Sequence, residues 1–127
     1  MLTICLFTAC SEISFTGLMG EWDLVSVKNG PLGYCQDDFV RSYPTGTVIV
    51  DFKGNGTIVF TYDTGKTETF DYSVPDNQEQ FGSSLPVIEI GEVPFSYDIE
   101  GNMLYLQYLG PYSCDHIPAT FVFRRAR

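Results

Sequence analysis

Three features of the 127-residue sequence predict an all-β fold, an eight-stranded antiparallel up-and-down β-barrel. Apolar and polar residues alternate at period two in nearly every segment after Gly20, the mark of strands with one dry and one wet face. The alternating runs stop at clusters of Gly, Asn, Asp or Pro, and no window repeats its apolar residues at helical spacing.

Taken in order, the chain opens with MLTICLFTA, residues 1–9, uncharged, almost wholly apolar and too short to span a bilayer. It reads as the tail of a secretory signal segment, truncated because the usual positive n-region is missing, so the expected start lies upstream of Met1. The alternative, an apolar first strand, lacks both alternation and a following turn signal. Thr8-Ala9-Cys10 resembles the lipobox of bacterial lipoproteins, although Phe7 stands where that motif carries an aliphatic residue. The resemblance implies that Cys10 is lipidated and becomes the mature N-terminus, that residues 10–19 form a tether, and that the chain is anchored to the outer membrane, on its periplasmic or outer face. Residues 20–127 then form a single domain, as the length allows.

Eight strand-like runs fill that domain: EWDLVSVKN (21–29), GTVIVDFK (46–53), GTIVFTYD (56–63), KTETFDYSV (66–74), LPVIEIG (85–91), VPFSYDIE (93–100), NMLYLQYL (102–109) and PATFVFRRA (118–126). In the second run Val48, Val50 and Phe52 share one face; in the sixth, Val93, Phe95, Tyr97 and Ile99 do. Gly54-Asn55-Gly56, Asp63-Thr64-Gly65, Gly91-Glu92 and Glu100-Gly101-Asn102 are short turn signals that join neighbouring antiparallel strands, which favours a meander. Closing eight meandering strands removes two exposed edges. An inward set of Trp22, Phe52, Phe60, Tyr62, Phe70, Tyr72, Phe95, Tyr97 and either Phe121 or Phe123 predicts a barrel filled by side chains, with the facing least determined in the first, fifth and seventh runs.

Only residues 30–46, 75–84 and 110–117 make longer connections. In an up-and-down barrel the first and last of these lie at the same end and flank the closing seam. They carry Cys35 and Cys114, the two cysteines of the mature domain, which are expected to form one disulfide outside the cytoplasm. A bridge closing so long a loop contributes roughly 4 kcal/mol in the chain-entropy picture.

Sixteen acidic residues against seven basic ones give a net charge of −9, which repels phosphate backbones and excludes nucleic acid as a partner. The single histidine, His116, adjoins Ser113 and Asp115, yet no nucleophile elbow or Gly-rich oxyanion turn surrounds them. Asp37-Asp38 sits in a polar loop and reads as solvated charge or a binding rim. Cys35, Cys114, Asp115 and His116 match no structural zinc spacing. The expectation is a monomeric non-enzyme with no metal and no cofactor.

GLMGEWDLVSV, residues 17–27, is similar to the opening of lipocalin-like barrels, whose Gly-x-Trp implies that Trp22 lies across the barrel floor. YPTGTVIVDFKGNGTIVF (43–60) and YDIEGNMLYL (97–106) resemble the small lipocalin-like lipoproteins of Gram-negative anaerobes. Size and architecture are also similar to the barrel-type potempins, outer-membrane lipoproteins that inhibit secreted peptidases, although no reactive-site motif of theirs matches here.

Two functions follow as expectations. The first is a protein-binding module, most concretely a peptidase inhibitor. Its binding loops are the Gly-Pro stretches that carry Pro31, Leu32, Gly33 and Tyr34 and that carry Pro111 and Tyr112, with Arg41 entering an acidic specificity pocket of the partner peptidase. The second is a carrier holding a small apolar ligand inside the barrel. Phe81, in PDNQEQFGSS at the opposite end, is a lesser contact candidate.

Overall fold

The computed structural model describes residues 17–29, 40–110 and 118–126. Nine antiparallel strands are present among them: β1 (Gly20–Asn29), β2 (Val40–Ser42), β3 (Val48–Phe52), β4 (Thr57–Tyr62), β5 (Thr67–Ser73), β6 (Val87–Ile90), β7 (Val93–Glu100), β8 (Met103–Tyr108) and β9 (Pro118–Arg125). From β3 to β9 each strand pairs with the next, and β1 pairs with both β3 and β9. Eight strands therefore close into a barrel of lipocalin-like architecture, and closure satisfies edges that an open sheet would leave bare.

The ninth, β2, is a three-residue strand inside the connection that the sequence reads as loop. It pairs with the upper half of β1, Val27 opposite Arg41, while β3 takes the lower half, Trp22 opposite Val50. Together β2 and β3 occupy one strand position, broken at Tyr43–Thr47. The break is held by the Tyr43 amide bonding the Val25 carbonyl at 2.9 Å and by the Gly46 amide bonding both Asp23 carboxylate oxygens at 3.0 and 3.2 Å.

Alternation decides which side chains enter the core, with one local correction. The β1–β9 register shifts between Leu24 and Ser26, so Val25 is a bulge and Val27 regains the inward face. Without the bulge Val27 would turn outward. In β6 two successive residues, Val87 and Ile88, are both fully buried. Ile88 belongs to the barrel core; Val87 lies on the outer face beneath the 75–86 connection. There the Gln78 side chain accepts from the Val87 amide at 2.7 Å and donates to the Val87 and Pro75 carbonyls at 3.1 and 2.8 Å. A 3-10 turn, Gln78–Phe81, shapes this connection.

Topology places the β1–β3, β4–β5, β6–β7 and β8–β9 connections at one end, here the upper end, and the remaining connections at the lower. The lower half is solid: Leu18, Trp22, Val50, Phe52, Ile58, Tyr72, Ile88, Leu104 and Phe123 are all buried. Phe52 meets Tyr72 edge to face at 5.2 Å. Phe121 and Phe123, offered by the sequence as alternatives, both face inward, being two apart on one strand.

Candidate binding cup at the loop end

Above the floor the inward-facing side chains are mixed: Val27, Val48 and Leu106 stay buried, while a set of larger ones is only partly covered. Phe60, Tyr62, Ile90, Phe95 and Phe121 pack on the core yet stay half-buried. Phe70 faces inward by register, opposite the fully buried Ile58, and is nevertheless 40% exposed. An inward aromatic with that much accessible surface marks an opening in the barrel wall beside Phe70, while the other inward aromatics pack on the core.

Strand lengths explain the opening. β5 pairs with β6 only through Tyr72–Ile90 and Ser73–Glu89, and the last contact upward is the Gly91 amide bonding the Asp71 carbonyl at 2.8 Å. Above that point Thr67–Phe70 has no strand neighbour on this side among the described residues, so the wall drops into a side notch beside Phe70. The tight turn at Gly91-Glu92, with φ of 56° and 74°, sends the chain back down before β6 can cover more of β5.

Two aromatic clusters line the cup. Phe60 and Phe70, from β4 and β5, meet at 5.6 Å in a T-shaped pair. Phe95 contacts Phe121 at 6.1 Å and Tyr108 at 6.2 Å, joining β7, β8 and β9. Gly110 follows Tyr108 at the rim because a Cβ there would overlap the Tyr108 phenol.

One polar pair is set into this apolar surface. Glu68 lies opposite Phe60 and therefore faces the interior, where it accepts a 2.7 Å hydrogen bond from the Tyr62 hydroxyl. Burial, then the bond to Glu68 and its negative charge, push the Tyr62 pKa up to about 12. The phenol stays protonated at neutral pH and keeps donating to Glu68 at the cup wall. Sequence reasoning missed Glu68 although its signal was present: it shares the period-two face of Phe70 and Tyr72.

The residues singled out from sequence are distributed unevenly. Trp22 is fully buried at the closed end, away from the cup; its indole N–H donates to the Leu18 carbonyl at 2.9 Å. Arg41 is exposed on β2 beside Val40, itself 48% exposed, at the cup end. Cys10, Cys35, Cys114, Pro31, Leu32, Gly33, Tyr34, Pro111, Tyr112 and His116 lie outside the described residues. Phe81 is partly buried at the lower end. Among the described residues no group of His, Cys, Asp and Glu could hold a metal ion.

No protein-family model matches the chain, and no curated protein matches it.

Proposed function

We propose that this chain is a non-enzymatic binding barrel that holds a small, largely aromatic ligand in the cup at its loop end, tethered to the outer membrane through a lipid on Cys10. The observation that carries this reading is Phe70, inward by register and 40% exposed at a notch lined by further aromatic rings. Apolar surface left open at the mouth of a barrel is where a ligand gains most from leaving water. Glu68 supplies an acceptor for a ligand N–H or O–H, so the favoured ligand is a ring system with one donor group and no negative charge.

The test is titration with the neutral fluorophore N-phenyl-1-naphthylamine. Saturable binding with blue-shifted emission, lost in Phe70→Glu, supports the cup; a probe that does not bind, or binds Phe70→Glu equally well, overturns it.

A second reading, a protein-binding module and most concretely a peptidase inhibitor, is favoured by topology: the connections carrying Pro31–Tyr34 and Pro111–Tyr112 leave the barrel at one end, where Arg41 and Val40 are exposed. Stoichiometric inhibition of a secreted peptidase, lost when Leu32 and Tyr34 are changed, would select it over the carrier.

A further inference from the structure

On the outer wall, away from the cup, a groove of about 350 Å³ runs across β7, β8 and β9 and is lined by Leu85, Ser96, Asp98, Glu100, Tyr105, Gln107 and Thr120. Register builds it from aligned rows. Ser96 lies opposite Gln107 and Gln107 opposite Thr120, while Asp98 lies opposite Tyr105. All face outward, because Tyr97, Leu104 and Leu106 between them face the core. The end of the 75–86 connection brings Leu85, 40% exposed, to the groove's β6 side.

Two features distinguish this groove from an ordinary strand surface. Ser96 is only 4% exposed, yet among the described residues its hydroxyl has no hydrogen-bond partner. No deeply buried side-chain polar atom is left unsatisfied among those residues, so the free hydroxyl opens onto the groove. Asp98 and Glu100 stand two apart on the same outward face, close enough for Asp98 to raise the Glu100 pKa. Arg124 is the nearest outward cation by register, opposite Met103, which is opposite Glu100, but no ion pair joins it to either carboxylate among the described residues.

We infer that this groove binds a guanidinium group, presented as an arginine side chain of a peptide or protein partner. The groove offers acceptors in excess: two carboxylates, the Gln107 amide oxygen and the Ser96 oxygen. A guanidinium is a planar fork of five N–H donors with no acceptor, and its flat face stacks on an aromatic ring such as Tyr105. An ammonium has three donors in a tetrahedral array and matches fewer of these partners. A neutral polyol leaves two neighbouring carboxylates uncompensated, whereas a cation offsets their mutual repulsion.

The ionisation of Glu100 makes binding pH-dependent. Glu100 binds its proton more tightly than an ordinary glutamate, first through the hydrogen bond to Asp98, then through Asp98's negative charge, then through burial. The ionisable or charged groups facing it are Asp98 on β7, Tyr105 on β8 and Arg124 on β9; Leu85, on the remaining side, carries no charge. A guanidinium pairs with the ionised Glu100 carboxylate, so affinity rises with pH through the Glu100 titration and then levels.

The experiment is an NMR titration of the intact chain, carboxyl-labelled at Asp and Glu and ring-labelled at Tyr, with N-acetylarginine amide. The expected result is saturable shifts at Asp98, Glu100 and Tyr105, a Glu100 titration moved to lower pH by the ligand, and affinity about tenfold weaker in Glu100→Gln or Asp98→Asn. Three results overturn the inference: no saturable shift at these residues, an equal response to N-acetyllysine amide or to methyl glucoside, or Glu100→Gln and Asp98→Asn proteins that bind as the parent does.

Discussion

The Arg125 guanidinium lies 3.8 Å from the centre of the Trp22 ring and seals the lower end of the barrel. The two residues are cross-strand partners on β1 and β9, the strands that close the cylinder. Arg125 also donates to the Met19 carbonyl at 2.7 Å and the Gly17 carbonyl at 2.8 Å, fastening the segment before β1 beneath the indole. Cation–π attraction and charge-assisted hydrogen bonds act together here on a largely desolvated ring. Trp22→Ala is expected to cost about 3–5 kcal/mol and Arg125→Ala about 1–3 kcal/mol. In a double-mutant cycle by urea unfolding the two should couple by about 1 kcal/mol; additive effects would show that the stack contributes nothing of its own.

Asp23 faces outward yet is 6% exposed, because the corner between β2 and β3 folds over it and offers the Gly46 amide. Asp23→Ala leaves that amide without its partner and is expected to destabilise the fold by about 1–3 kcal/mol. Hydrogen exchange should show the loss concentrated at Tyr43–Thr47 and β2, whereas a uniform loss would contradict the corner's dependence on this carboxylate.

Contrasting substitutions test the division into solid floor and open cup. Phe52, 1% exposed, is expected to cost about 3–5 kcal/mol on change to Ala. Phe70, with two fifths of its surface already in solvent, is expected to cost about 1 kcal/mol or less, since little transfer energy is lost and no closed cavity forms. Equal losses in thermal or urea unfolding would mean that the upper half is packed as tightly as the lower.

Alkaline titration followed at the phenolate absorbance should resolve late-ionising tyrosines. Tyr62 is the clearest, at about 12, and burial raises Tyr72 and Tyr97 as well. A phenol whose folded pKa is raised lends stability that is fully present below pH about 10 and lost as pH rises toward 12, because the unfolded chain gives up its proton first. Tyr62→Phe should remove the latest step. Glu68→Gln should move that step to lower pH without returning it to the ordinary value, since burial is its largest cause.

Glu92, with φ of 74°, is the one non-glycine residue in the left-handed region among those described. It stands beside Asp71 and Glu89 on the outer β5–β6 seam. Glu92→Gly should relieve both backbone strain and like-charge crowding and stabilise by about 0.5–1 kcal/mol in equilibrium unfolding.

Local chemistry alone determined the all-β class, the hairpin order and most of the inward faces. Period-two alternation, as in Val48–Val50–Phe52, and turn signals, as at Gly54–Gly56 and Gly101-Asn102, act between neighbours in the chain and do not depend on the rest of the fold. The face shared by Glu68, Phe70 and Tyr72 was legible in the same way. Tertiary structure decided whatever depends on strands far apart in sequence. Register across the closing seam sets Arg125 on Trp22 and requires the bulge at Val25. The 75–86 connection folding over the outer wall buries Val87 beside the inward Ile88, which alternation alone would leave in solvent. The opening exists because β6 pairs with β5 only through Tyr72 and Ser73, so Phe70, which reads as core, meets solvent. Alternation specifies the side of the wall on which a residue lies; the lengths and registers of its neighbours, set by packing around the whole barrel, determine whether that side is dry.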